Sequence, residues 1–146
     1  MEYSNYDTRR GFESELMVYQ TLTHPNLCKL IDYGKDTVYT KKDGQTIPVA
    51  GYIVIEYAPE GVLFDYVRLE CFSVDVCRYY FKQILSTLSH LHLNGLANCG
   101  LSLEKFILDD EFNLRMIGLD KVVSTQEPLT RALGYTGFMA PEFHSG

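Results

Sequence analysis

The chain has 146 residues, 46% of them apolar and 22% charged, which is enough apolar material for one folded core. A formal net charge of −6, with no basic run longer than Arg9-Arg10 or Lys41-Lys42, excludes a nucleic-acid footprint. The first ten residues hold no signal-like apolar stretch, and the longest apolar run, Val49 to Ile55, is far below the roughly 18 residues of a spanning helix, so no membrane partner and a cytoplasmic location are expected.

In chain order, Phe12, Leu16, Tyr19 and Leu22 recur at helical spacing and predict a helix that stops before His24-Pro25, because the residue ahead of a proline is pushed out of the helical region. "NLCKLIDYG" then reads as a short buried strand closed by a glycine turn. "TVYTKKDGQTIPVAGYIVIEYA" reads as a hairpin turning near Asp43-Gly44, with "YIVIEY" as its β-branched, aromatic strand. Val76, Tyr80, Ile84, Leu88 and Leu91 form one stripe of a helix that opens at Ser73 as N-cap and stops at Asn94-Gly95. A loop follows, then a strand "KFIL", an acidic turn at Asp109-Asp110, a strand "NLRMI", and a stretch without periodicity to the end. Cys28, Cys71, Cys77 and Cys99 show no CxxC pairing, and His90 and His92 lie on different helix faces, so ordinary thiols and no metal site are expected.

Five strings in this order resemble the protein kinase family. "HPNLCKLIDYG" is similar to the segment after helix C, and "YIVIEYAPEGVLFDYV" to the fifth strand, hinge and helix D. "YYFKQILSTLSHLHLNG" is similar to helix E, "NCGLSLEKFILDD" to the HRDLxxxN catalytic loop with its following strand, and "GYTGFMAPEF" to the end of the activation segment. The resemblance covers about residues 8 to 143 and implies an α+β, partial protein-kinase-like fold. It would form one truncated domain over 1–146, with an N-lobe remnant at about 1–57 and a C-lobe part at about 58–146.

The resemblance also implies an inventory of sites. Glu15 falls at the helix-C glutamate, Ile55, Glu56, Ala58 and Ile107 at the remnant of the nucleotide pocket, and Ala140, Pro141 and Glu142 at the end of the activation segment. The reactive positions differ from the family. Asn98, Cys99 and Gly100 stand where HRD would, Lys105 where the metal-binding asparagine would, and Gly118, Leu119 and Asp120 where DFG would. Asp120 is two residues from the DFG aspartate position, roughly 6 to 7 Å along an extended chain, against magnesium–oxygen distances of about 2.1 Å. The acids Glu104, Asp109, Asp110 and Asp120 read as solvated turn residues. No GxGxxG occurs, no lysine precedes Glu15, and the large central helix of the C-terminal lobe has no counterpart after "APEF".

These departures lead to the expectation of a pseudokinase that is not an enzyme and acts in protein binding or scaffolding. It would take no cofactor beyond weak, metal-free ATP binding. The alternatives are a kinase fragment whose ATP binding or phosphotransfer another chain completes, and a structural subunit or incomplete gene product. Leu101, Phe106, Ile107, Leu108, Leu114, Met116 and Ile117 are expected to seat the loop and its strands by packing alone. Tyr79, Phe81 and Leu85 leave a second apolar face on the long helix, so a protein partner or self-association is expected.

Overall fold

A computed structural model describes residues 6–126, 128–129 and 133–143. The first helix, α1 (Tyr6–Thr21), buries Leu16, Val18 and Tyr19 and ends ahead of His24-Pro25 as its sequence requires. The loop after it is tied down by Asn26, whose side-chain amide donates to Gln83 Oε1 at 2.7 Å and to the Leu114 carbonyl at 2.9 Å.

β1 (Leu30–Thr40) and β2 (Thr46–Ile55) form an antiparallel hairpin. Its loop is longer than two residues. Lys41 N donates to the Gln45 carbonyl at 2.8 Å, Gly44 N to the Lys41 carbonyl at 3.0 Å, and Gly44 takes φ +86°, a left-handed value natural to glycine. The expected short buried strand ending at Gly34 is corrected here. β1 runs through Gly34 to Thr40, and Ile31, Val38 and Tyr39 are exposed. Gly34 pairs with Tyr52, whose ring lies over the space a side chain at Gly34 would need, so cross-strand packing, and not a turn, explains this glycine.

The chain then enters α2 (Leu63–Arg68) and α3 (Val74–Leu93). Ser73 Oγ accepts from Val76 N, and Asp75 stands in the first turn, where the helix dipole favours an acid. Tyr80 and Leu91 are buried, with Val76, Ile84 and Leu88 packed beside them, so the predicted stripe is the inner face.

Two small antiparallel pairs complete the fold. β4 (Phe106–Leu108) pairs with β5 (Leu114–Met116), and β3 (Leu96–Asn98) with β6 (Val122–Ser124). One buried cluster joins Val18 and Tyr19 of α1 to Leu91 of α3, to Phe106, Leu108, Leu114 and Met116, and to Leu119 and Val122. The result is a partial kinase-like α+β fold. No helix among the described residues is long and apolar enough to cross a membrane.

Candidate functional site

The loop between β3 and β4 is held by its own polar groups. Gly100 N donates to Asn98 Oδ1 at 2.8 Å, and Cys99 N donates to the Lys121 carbonyl at 3.0 Å. A side chain at Gly100 would meet Lys121 Cβ and Cγ at 2.8 Å, so the aliphatic stem of Lys121 fills that space. Cys99 is half-buried and burial raises its thiol pKa, which leaves a weak nucleophile. Ser102 is buried, and its hydroxyl donates to Glu104 Oε2 at 3.2 Å.

A short 3-10 turn, Leu103–Lys105, feeds β4, and the ladder starts one residue early, with Ile117 N donating to the Lys105 carbonyl at 2.8 Å. Side chains alternate along such a ladder. Phe106 therefore points into the core and Ile107 to the opposite face, while Lys105, the last residue of the 3-10 turn, is placed by its side-chain contacts. Lys105 Nζ lies 3.6 Å from Asp120 Oδ1 and 5.7 Å from the centre of the Tyr135 ring, and Lys121 Nζ lies 3.5 Å from Asp120 Oδ2. Burial opposes the Lys105 charge, but Tyr135, Asp120 and Glu15 outweigh it and raise the ammonium's pKa.

Gly118 is required by this arrangement. It takes φ +65°, and any side chain there would run into the outer atoms of Lys105. The next residue, Leu119, is fully buried, and its N–H donates to Glu15 Oε1 at 3.2 Å, which ties α1 to the strand-to-loop junction. The Tyr19 hydroxyl is buried close to Glu15, and burial, with the Glu15 charge beside it, pushes its pKa up.

Burial likewise raises the Glu15 pKa, against the Leu119 hydrogen bond and the Lys105 charge, which lower it. A carboxyl that holds its proton more tightly when folded adds stability that is fully present below its unfolded pKa and lost as pH rises through the folded one. Glu15→Gln is therefore expected to be at least as stable as the parent at pH 7 and to remove this decline above about pH 4.5. Urea unfolding from pH 4 to 8 checks it. A parallel decline in both proteins would show that Glu15 is not the group responsible.

At the segment after β2, Ile55, Ala58 and Ile107 are half-buried. Glu60 N donates to the Leu108 carbonyl at 3.1 Å and Leu108 N to the Gly61 carbonyl at 2.9 Å, so this segment runs along β4 beside Ile107. The Glu56 side chain does not line this wall. Its Oε1 accepts from Lys29 N at 3.2 Å and lies 3.7 Å from Arg115 Nε. Pro141 and Glu142 are exposed at the start of a 3-10 turn, and Ala140 is half-buried just ahead of it.

Two acids read as solvated turn residues are corrected. Asp109 is 9% exposed and takes N–H donors from Glu111 and Asn113 as well as the Arg115 guanidinium, while Asp120 bridges two lysines. Sequence reasoning missed Lys121, Tyr135 and Arg115. The first was legible as a neighbour of Asp120, whereas nothing in the pattern brings Tyr135 back over Lys105.

A divalent cation does not fit the donor set at Asp120, since two ammonium groups already flank that carboxylate. Among the described residues no group of three His, Cys, Asp or Glu side chains could hold a metal. The arrangement suits an anion: two partly buried amines that converge on one point.

Comparison with known proteins bears on the same residues. The chain matches the protein kinase domain over residues 2–145. It is 28% identical to serine/threonine protein kinase OSK3 of Oryza sativa subsp. indica, over 97% of this chain and 26% of that protein. It is 28% identical to NUAK family SNF1-like kinase 1 of Homo sapiens, over 90% of this chain and 19% of that protein. Against the probable serine/threonine-protein kinase fhkD of Dictyostelium discoideum the identity is 29%, over 96% of this chain and 18% of that protein. The chain thus spans about a quarter or less of these relatives' lengths. The expectation that it is not an enzyme is overturned by these comparisons. Its relatives are named kinases, two of these three serine/threonine protein kinases, which points to an enzyme, and substitution at motif positions alone did not establish the contrary. From helix α1 to the turn at Pro141, this chain belongs to the protein kinase domain family.

Proposed function

We propose that this chain holds the phosphate end of a nucleotide within a protein kinase domain and presents its outer faces to a protein partner. Phosphoryl transfer to serine or threonine, the chemistry named in its relatives, would need a general base and a glycine-rich loop that residues 1–146 do not supply. The observation that carries the reading is the pair of lysines. Lys105 and Lys121 converge on one carboxylate, and Lys105 stands two residues ahead of half-buried Ile107, where an apolar wall could take an adenine. Two ammonium groups offer a phosphate six donors and no acceptor, so they select for anions without a metal. Calorimetric titration of the chain with a non-hydrolysable ATP analogue in EDTA tests this. Binding that falls at least tenfold in Lys105→Gln is expected, on the order of one charge-assisted contact. An absence of heat at millimolar nucleotide would refute it.

The partner-binding part rests on a separate observation. Phe81 and Leu85 are 58% and 49% exposed along one side of α3, Tyr79 is 49% exposed on another, and the β1–β2 hairpin leaves Val38, Tyr52 and Val54 open to solvent. Apolar surface of this kind usually marks an interface within an intracellular assembly. Sedimentation of the purified chain is expected to show self-association that a Phe81→Glu, Leu85→Lys double variant abolishes. A monomer at all concentrations with a single cooperative unfolding step would count against it.

A further inference from the structure

We propose that Asp120 is a built-in counterion that closes the Lys105–Lys121 pair, so that a polyphosphate enters only by taking both lysines from it. This rests on the reading of the lysine pair as a phosphate site and adds its regulation. The carboxylate is the fixed member of the trio. On one side Leu119 is fully buried with its N–H held by Glu15. On the other, the Asp120 backbone and Cβ lie where a side chain at Gly11 of α1 would touch them at 3.3 to 3.4 Å, so the absence of a Gly11 side chain lets the two segments close together.

The lysines are the movable members. Their ion pairs to Asp120 are 3.6 and 3.5 Å long, beyond good hydrogen-bond reach, and the Lys105, Lys121 and Asp120 side chains are 21%, 32% and 32% exposed. Each has a four-carbon stem that can turn outward while its backbone stays in place. Glu15 is a second negative charge near Lys105, but it is committed to Leu119 N and buried, whereas both Asp120 oxygens face ammonium groups. An entering phosphate therefore competes with Asp120 for both lysines and with Tyr135 for Lys105, and it meets the like charge of Asp120 as well.

Removing that charge while keeping its shape should admit the anion. Asp120→Asn is expected to bind both inorganic tripolyphosphate and ATP about tenfold more tightly than the parent in EDTA, with a steeper loss of affinity as salt is raised. Asp120→Ser should move in the same direction, which covers the case in which the amide repacks badly, and unfolding midpoints confirm that each variant is folded. Adding Lys105→Gln and Lys121→Gln to Asp120→Asn should erase the gain. If the parent binds and neither Asp120 variant binds more tightly, the counterion is overturned while the phosphate site stands. If the gain survives loss of both lysines, it has another origin and the proposal is overturned. If neither parent nor variants bind either probe, the phosphate site and the counterion fall together.

Discussion

Arg115→Met is expected to cost about 3 kcal/mol of stability, the scale of removing one partner from a buried ion pair. Arg115 contacts three parts of the chain. Its Nε and Nη2 lie 3.1 and 3.0 Å from Asp109 Oδ2, its Nε lies 3.7 Å from Glu56 Oε1, and its Nη1 donates to the Pro25 carbonyl. Asp109 is 9% exposed, so methionine would fill the volume but leave a carboxylate with no cation beside it. The Glu111 and Asn113 N–H groups at 3.0 and 2.8 Å soften the loss without cancelling the charge. Asp109→Asn in the Arg115→Met background should therefore recover about 1 kcal/mol or more, because an amide tolerates the site without a cation. The same change removes the Arg115 contact of Glu56 and leaves it the Lys29 N–H, so the segment from residue 56 to 62 should exchange its amide hydrogens faster than in the parent while α3 is unchanged. Urea unfolding with hydrogen exchange decides this. A single variant within about 0.5 kcal/mol of the parent would mean that water already supports Asp109.

The sequence made some of this legible and hid the rest for definable reasons. α3 could be read to its ends because a twenty-residue amphipathic repeat carries its own cap at Ser73 and its own stop at Asn94-Gly95. β4 and β5 were legible because Asp109 and Asp110 sit between two short apolar runs. β3 and β6 were not, since three residues cannot display a period and their pairing joins positions more than twenty residues apart. β1 was misread at Gly34, where the local turn signal lost to cross-strand packing with Tyr52. At the site, the substitutions at Gly100, Lys105 and Gly118 were visible one by one. Their mutual fit was not: Lys121 fills the space beside Gly100, and Lys105 fills the space beside Gly118. Asp120 was weighed for its reach to a metal and read as a solvated turn residue, while the flexible stems of two lysines could reach it instead.

Phe106→Ala is expected to be the most damaging single truncation, at about 4 kcal/mol, because it removes a whole ring from a site that cannot collapse. Phe106 is 1% exposed and pairs with Met116, which is fully buried and is itself bridged to Leu27. The surrounding cluster draws on α1, α3 and β5 together, so closing the cavity would require separate elements to move toward one another. Phe106→Leu, which keeps much of the volume, should cost about 1.5 kcal/mol or less. The contrast carries to function. Phe106 lies between Lys105 and Ile107, and its burial anchors the junction of the 3-10 turn and β4 from which both of those project. Phe106→Ala should thus weaken nucleotide binding even where enough protein stays folded to measure it, while Phe106→Leu should bind like the parent. Denaturant unfolding and calorimetric titration of the two variants side by side provide the check. Equal unfolding midpoints would remove Phe106 as the residue that sets the strand, and equal affinities would show that Lys105 and Ile107 are positioned by the β4–β5 ladder alone.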